Sequence, residues 1–189
     1  MGYRMCTGLV SLCLFLATAS AVVAFFVDFW GEFVFANVVH GGTFGLWRVC
    51  PVRLTHKTCD WIHKDLPNLD RLNGIPNWFL ACEIMFTIST GSLVFCLILL
   101  PFYGCLCSKG GGCFNFMGRM IYSTLVLAAL VMGVGLLVFG LEVHLGDREV
   151  ILGKTVHGLE WAFWLMVGSW AMTAISVSVM FLAHRRALD

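Results

Sequence analysis

The sequence predicts an all-α membrane four-helix bundle that carries a small disulfide-pinned extracellular antiparallel β-sheet. Two observations predict the bundle and a third predicts the sheet. Of 189 residues, 59% are hydrophobic and only 12% are charged, where a soluble domain spends about a quarter of its residues on charge. The chain also holds four long stretches without Asp, Glu, Lys or Arg: Met5 to Val27, Ile84 to Ser108, Met120 to Leu141 and Trp161 to Ala183. Finally, the longest segment between them is rich in β-branched and aromatic residues and contains two cysteines. Net charge is +1, which offers no basic face to nucleic acid. The expected nonprotein partner is the lipid bilayer.

Each uncharged stretch exceeds the roughly 20 residues a helix needs to cross a hydrocarbon core about 30 Å thick. The spans are expected at about 5–27, 79–102, 120–141 and 161–183, within a single domain covering 1–189. The first stretch follows Met1–Arg4 and includes Ala17-Thr18-Ala19-Ser20-Ala21, a pattern shared with cleaved signal peptides. Its 23 uncharged residues exceed a signal core and suit a span.

Orientation follows from the distribution of basic residues. Arg4, Lys109, Arg119, Arg185 and Arg186 fall on one side, with Asp189 as the acid among them. The other side carries seven basic and nine acidic residues, so the positive-inside rule puts both termini in the cytosol. The extracellular loops are then 28–78 and 142–160, and the cytosolic loop is 103–119. Trp30, Trp78 and Trp161 stand at the outer helix ends, where indole rings favour the interface.

In the first outer loop, Glu32 to Val39 is β-prone, His40-Gly41-Gly42-Thr43 reads as a turn, and Phe44 to Val52 reads as a second strand. Cys50 and Cys59, with eight residues between them, lie on the oxidising side where a structural disulfide belongs. Closing so short a loop adds about 2–3 kcal/mol in the chain-entropy account.

The segment Gly45-Leu46-Trp47-Arg48-Val49-Cys50 followed by Cys59, with Trp30 ahead of it, resembles the G-L-W-x-x-C…C signature of one superfamily. That superfamily comprises the claudins, peripheral myelin proteins, epithelial membrane proteins and lens fibre intrinsic proteins. Trp161-Ala162-Phe163-Trp164-Leu165 and Gly168-Ser169-Trp170 are similar to its segment entering helix four. The resemblance covers essentially the whole chain, in span number, loop sizes and motif position. It implies a claudin-like tetraspan with Trp30, Gly45, Leu46, Trp47, Cys50 and Cys59 as its signature residues. It also implies lateral assembly and adhesion across a cell–cell gap, with the chain itself or related tetraspans as cis and trans partners.

The chain departs from that pattern in several places. It ends Arg186-Ala187-Leu188-Asp189, without the aromatic-valine terminus by which many claudins engage scaffold domains. The interval from Trp30 to Gly45 is shorter than in claudins. Asn77, Trp78 and Glu83 occupy the region where claudins commonly carry an Arg. Asn37, Asn68, Asn73, Asn77 and Asn115 all lack the hydroxyl residue of a glycosylation sequon. The tail, the shorter interval and the missing Arg look closer to the epithelial-membrane-protein and lens branch, or to an invertebrate claudin-like member, whereas the missing sequon departs from the pattern of myelin-protein relatives.

Several residues remain to be weighed. Ala17-xxx-Ala21, Ser20-xxx-Ala24 and the Gly133/Gly135/Gly140 set suit close helix packing inside the bundle, with lateral self-association as the sharper reading. Cys105, Cys107 and Cys113 are candidate S-palmitoylation sites by their juxtamembrane cytosolic position. Unmodified thiols are the plain alternative, and their C-x-C-x5-C spacing lacks a fourth zinc ligand. Cys13, Cys82 and Cys96 read as buried apolar fillers. Glu83 is the acid near a span interior; it either reaches the outer interface or pairs with a loop base, or it serves a pore or partner. Asp28, Glu32, Asp147 and Glu149 are candidate partner or ion contacts in the outer loops, against the plain reading of a solvated polar surface.

No catalytic pattern is present: the histidines are scattered, with no H-E-x-x-H spacing and no G-x-S-x-G elbow. Neither a metal nor a cofactor is expected. Two functional classes follow. One is a structural cell-contact protein at plasma-membrane junctions that sets paracellular permeability. The other is an auxiliary subunit that alters trafficking or gating of a channel or receptor in the same membrane.

Overall fold

The computed structural model describes residues 3–34, 41–53, 56–57, 59–62, 76–106, 112–145, 149–151 and 154–186. Four helices dominate: α1 (Tyr3–Phe26), α2 (Asn77–Leu106), α3 (Gly112–Leu145) and α4 (Trp161–Arg186). Each contains a stretch long and apolar enough to cross a membrane: Gly8–Phe26, Asn77–Tyr103, Phe116–His144 and Trp161–Leu182. Runs of Leu, Val, Ala and Phe leave the backbone no polar competitor, and a helix pairs each amide within its own segment. The carbonyl of Pro76 caps α2 by accepting from the N–H groups of Phe79 and Leu80 at 2.9 and 3.3 Å. Pro101 lies inside α2, where its missing N–H removes one hydrogen bond, yet the helix continues for another turn. The connection expected over 103–119 is shorter than hydropathy implied, because α2 runs on to Leu106 and α3 already begins at Gly112.

The helices pack in a ring, with α1 on α4 and α2 on α3 as the closest pairs and α1–α2 and α3–α4 completing it. Small side chains permit the closest approach. Ala17, Ala21 and Ala24 of α1 have no exposed surface, and Ser169 of α4 donates its hydroxyl to the Ala17 carbonyl at 2.7 Å. On α3, Gly133, Gly135 and Gly140 lie under Trp170, Phe86 and Phe163 respectively. The small residues therefore serve packing within the chain. Two buried threonines bond within their own helices: Thr18 donates to Leu14 O and Thr173 to Ser169 O.

Both connections at the opposite end of the bundle contribute to one antiparallel seven-stranded sheet. Its strands are β1 (Gly31–Val34), β2 (Gly41–Phe44), β3 (Arg48–Arg53), β4 (His56–Lys57), β5 (Asp60–Trp61), β6 (Glu149–Ile151) and β7 (Lys154–Leu159). The order is β4-β3-β2-β1-β7-β6, with β5 on the same edge of β3 as β4. Phe33, Phe44 and Val49 are buried against the helices while Glu32 and Arg48 are exposed, the alternation of a sheet with one covered face.

Three expectations are corrected here. Gly41 to Thr43 form a strand rather than a turn, because they pair with β1 on one side and β3 on the other. The strand expected over Phe44 to Val52 is interrupted at Gly45–Trp47 and restarts at Arg48. The second outer connection, read as a polar loop, supplies β6 and β7, and β7 pairs with β1 from Gly31↔Leu159 to Val34↔Thr155. Phe35 to His40, within the first expected strand, lie outside the described residues.

Candidate functional site

The signature residues converge where the sheet meets the helices. Past the end of α1, Val27-Asp28-Phe29 turns the chain and delivers Trp30 inward. Its indole has no exposed surface. The Nε1–H donates to the Ala24 carbonyl at 2.7 Å, pairing one of the acceptors that a helix C-terminus leaves open. The ring centroid lies 5.0 Å from that of Phe86 on α2, 5.2 Å from Phe139 on α3 and 6.2 Å from Phe163 on α4. One side chain thus touches all four helices. Its main chain joins the sheet as well: Trp30 N–H donates to Phe44 O at 2.8 Å, and Trp30 O accepts from Glu160 N–H at 3.0 Å. The interfacial position expected for Trp30 is corrected by this burial. An indole whose N–H is satisfied internally and whose faces meet three phenyl rings gains nothing from the surface. Trp161 is about half-exposed at 47% and fits the expectation better.

Gly45-Leu46-Trp47 forms a tight turn beneath β3, closed by Gly45 N–H donating to Arg48 O at 2.8 Å. A Cβ on Gly45 would stand 2.5 Å from Val27 O and 2.9 Å from Asp28 Cα, so only glycine lets this turn press onto the exit of α1. Leu46 is fully buried. The Trp47 ring lies 5.2 Å from Phe25 of α1, and Trp47 O accepts from Ile62 N–H at 2.9 Å.

Cys50 and Cys59 form the disulfide that the sequence led us to expect. It ties β3 to the residues entering β5, where Arg48 is paired with Trp61 across the ladder. The Arg48 guanidinium sits 4.5 Å from the Trp61 ring centroid, a cation–π contact on the exposed face. A carboxylate oxygen of Asp28 and the sulfurs of Cys50 and Cys59 all lie within 4.8 Å of one another. Because the sulfurs are bonded to each other, this trio does not form a metal-binding set.

The remaining candidates are dispersed. Glu32 is exposed on β1, and Glu149 is on β6. Asp147 lies outside the described residues, as does Cys107. Cys105 is in the last turn of α2 and Cys113 in the first turn of α3. Cys13, Cys82 and Cys96 are buried free cysteines. Glu83 is buried, with only 2% exposure. It borders a hollow of about 270 Å³ lined by Trp47, Leu80, Glu83, Ile84, Thr87 and Ile88.

Sequence reasoning missed the aromatic box around Trp30. Phe163 belonged to a segment already singled out, but Phe86 and Phe139 lie in uniformly apolar stretches that give no positional signal. No protein-family model matches the chain, and no curated protein matches it either.

Proposed function

We propose that this is a claudin-like four-span protein of the plasma membrane with cytosolic termini and an extracellular sheet. On this reading it acts structurally in cell–cell contact by assembling laterally, adhering in trans and setting paracellular permeability. The observation that carries the proposal is the convergence of Trp30, Gly45-Leu46-Trp47 and the Cys50–Cys59 disulfide into one clasp. That clasp holds a sheet drawn from both connections rigidly at one end of four span-length helices. A rigid sheet presents the same surface to every partner, which repeated lateral assembly demands. Its outermost strands support the reading too. Strand β6 pairs only with β7 among the described strands, and an open edge is a template for pairing with another chain.

A different observation favours the auxiliary-subunit reading. The hollow lined by Trp47 and one stripe of α2 is bordered by exposed Leu80, Ile84 and Ile88, an apolar surface against which a channel or receptor in the same membrane would pack.

The test is imaging of mixed cells that lack junctional strands, some expressing a tagged copy and some not. Enrichment only where two expressing cells touch, lost in the Cys50→Ser/Cys59→Ser variant, is the expected result. Uniform surface staining regardless of neighbour would overturn homophilic adhesion and favour the auxiliary role, to be followed by copurification.

A further inference from the structure

We propose that Asp28 is an electrostatic guard of the Cys50–Cys59 disulfide, slowing its reduction by anionic thiols. The inference rests on the geometry at the clasp and is independent of the functional reading above. Cys50 has no exposed surface, whereas Cys59 is exposed, so an incoming thiol reaches the bond at Cys59. Reduction proceeds by attack of a thiolate on the Cys59 sulfur. The new S–S bond forms there as the Cys50–Cys59 bond breaks, and the electron pair leaves on Cys50 as a thiolate. A second thiolate then displaces Cys59 as a thiolate and carries the oxidising equivalent away as the external disulfide.

Asp28 acts on both partners of the first step. A carboxylate oxygen lies within 4.8 Å of both sulfurs, so it repels the approaching negative charge and disfavours the charge left on buried Cys50. Its position is not incidental to the fold. Asp28 stands at the exit of α1, and the Gly45 turn presses against it so closely that a Cβ on Gly45 would be 3.3 Å from Asp28 Oδ1. The guanidinium of Arg48 is directed onto the Trp61 ring. Repulsion scales with the attacker's charge, whereas the effect on the leaving Cys50 is common to all attackers.

The experiment measures reduction rates of the full-length protein in detergent with three thiols. As thiolates these are cysteamine (net neutral), 2-mercaptoethanol (net −1) and glutathione (net −2), each rate being expressed per thiolate. In Asp28→Asn the rates should rise most for glutathione and least for cysteamine. The step should be about two- to fourfold for each unit of attacker charge, the size expected of unit charges about 5–7 Å apart in a largely aqueous setting. In the wild-type protein, added salt should accelerate glutathione more than cysteamine, an arm that stands even where the variant fails to fold. Equal acceleration of all three thiols by Asp28→Asn would leave only effects common to every attacker, an easier departure of Cys50 or a loosened clasp, and would overturn the guard against anionic thiols. Unchanged rates, or a salt response independent of thiol charge, would overturn it equally.

Discussion

Replacing Trp30 tests whether one side chain locks the bundle to the sheet. The indole is fully buried, donates to Ala24 O at 2.7 Å and meets three phenyl rings at 5.0 to 6.2 Å. Trp30→Ala removes all of this and leaves a cavity at the junction of four helices, a loss of about 3–5 kcal/mol. Trp30→Phe retains a ring but abandons the Ala24 carbonyl, which sits on a residue with no exposed surface; that costs about 1–3 kcal/mol. At about 2–4 °C per kcal/mol for a chain of this size, the midpoints should fall by about 6–20 °C and about 2–12 °C respectively. Buried Cys13, Cys82 and Cys96 supply the assay, since a thiol-reactive dye labels them only as the bundle opens on heating. A Trp30→Ala midpoint within about 2 °C of wild type would refute the keystone role on the same scale. Equal losses for Ala and Phe would refute the division between ring and hydrogen bond.

Two further predictions concern the clasp and the helix seam. Gly45→Ala places a Cβ 2.5 Å from Val27 O and 2.9 Å from Asp28 Cα, both main-chain atoms, so overpacking should cost about 1–3 kcal/mol. Limited proteolysis should cut residues 28–62 faster in this variant while the helices stay intact; a wild-type digestion pattern would contradict the close approach. On the α1–α4 seam, Ser169→Ala should cost only about 0.6 kcal/mol, typical of a hydroxyl bond between packed apolar helices. Ala17→Leu should cost more, about 1–3 kcal/mol, because Ala17 has no exposed surface. The dye-labelling midpoints rank the two, and the reverse order would show that the hydroxyl holds the seam.

The helices were legible because an uncharged run long enough to span has few other outcomes, and their sheet-proximal ends agree closely with expectation. The opposite ends did not, since hydropathy registers where charge resumes, not where the backbone stops coiling; α3 starts at Gly112, well before Met120. Cys50–Cys59 was legible from two cysteines close in sequence. Strand β2 was misread because Gly41-Gly42-Thr43 carries the composition of a turn. The glycine at 42 has another reason to be there: a Cβ would meet the Phe33 ring at 2.5 Å and Cys50 O at 2.6 Å. Strand β7 was hidden because ladder hydrogen bonds use the main chain and are indifferent to the mixed charges of the 142–160 connection. Trp30 was assigned to the membrane interface by a rule about average indoles, which cannot anticipate phenyl rings arriving from three other helices.

The pairing of β1 with β7 has a consequence for biosynthesis. Gly31 to Val34 leave the ribosome well before their partners from Thr155 to Leu159, with helices α2 and α3 made in between. Until that last hairpin arrives, one side of β1 has no ladder, and the N–H of Glu160 is not yet present to meet Trp30 O. Non-local closure of this kind is slow compared with local contacts. While the residues between β1 and β7 are being made, the nascent chain therefore carries an open strand edge beside an unfilled aromatic box. This is the interval in which quality-control factors would engage it, and in which a truncation before α4 would be recognised as incomplete.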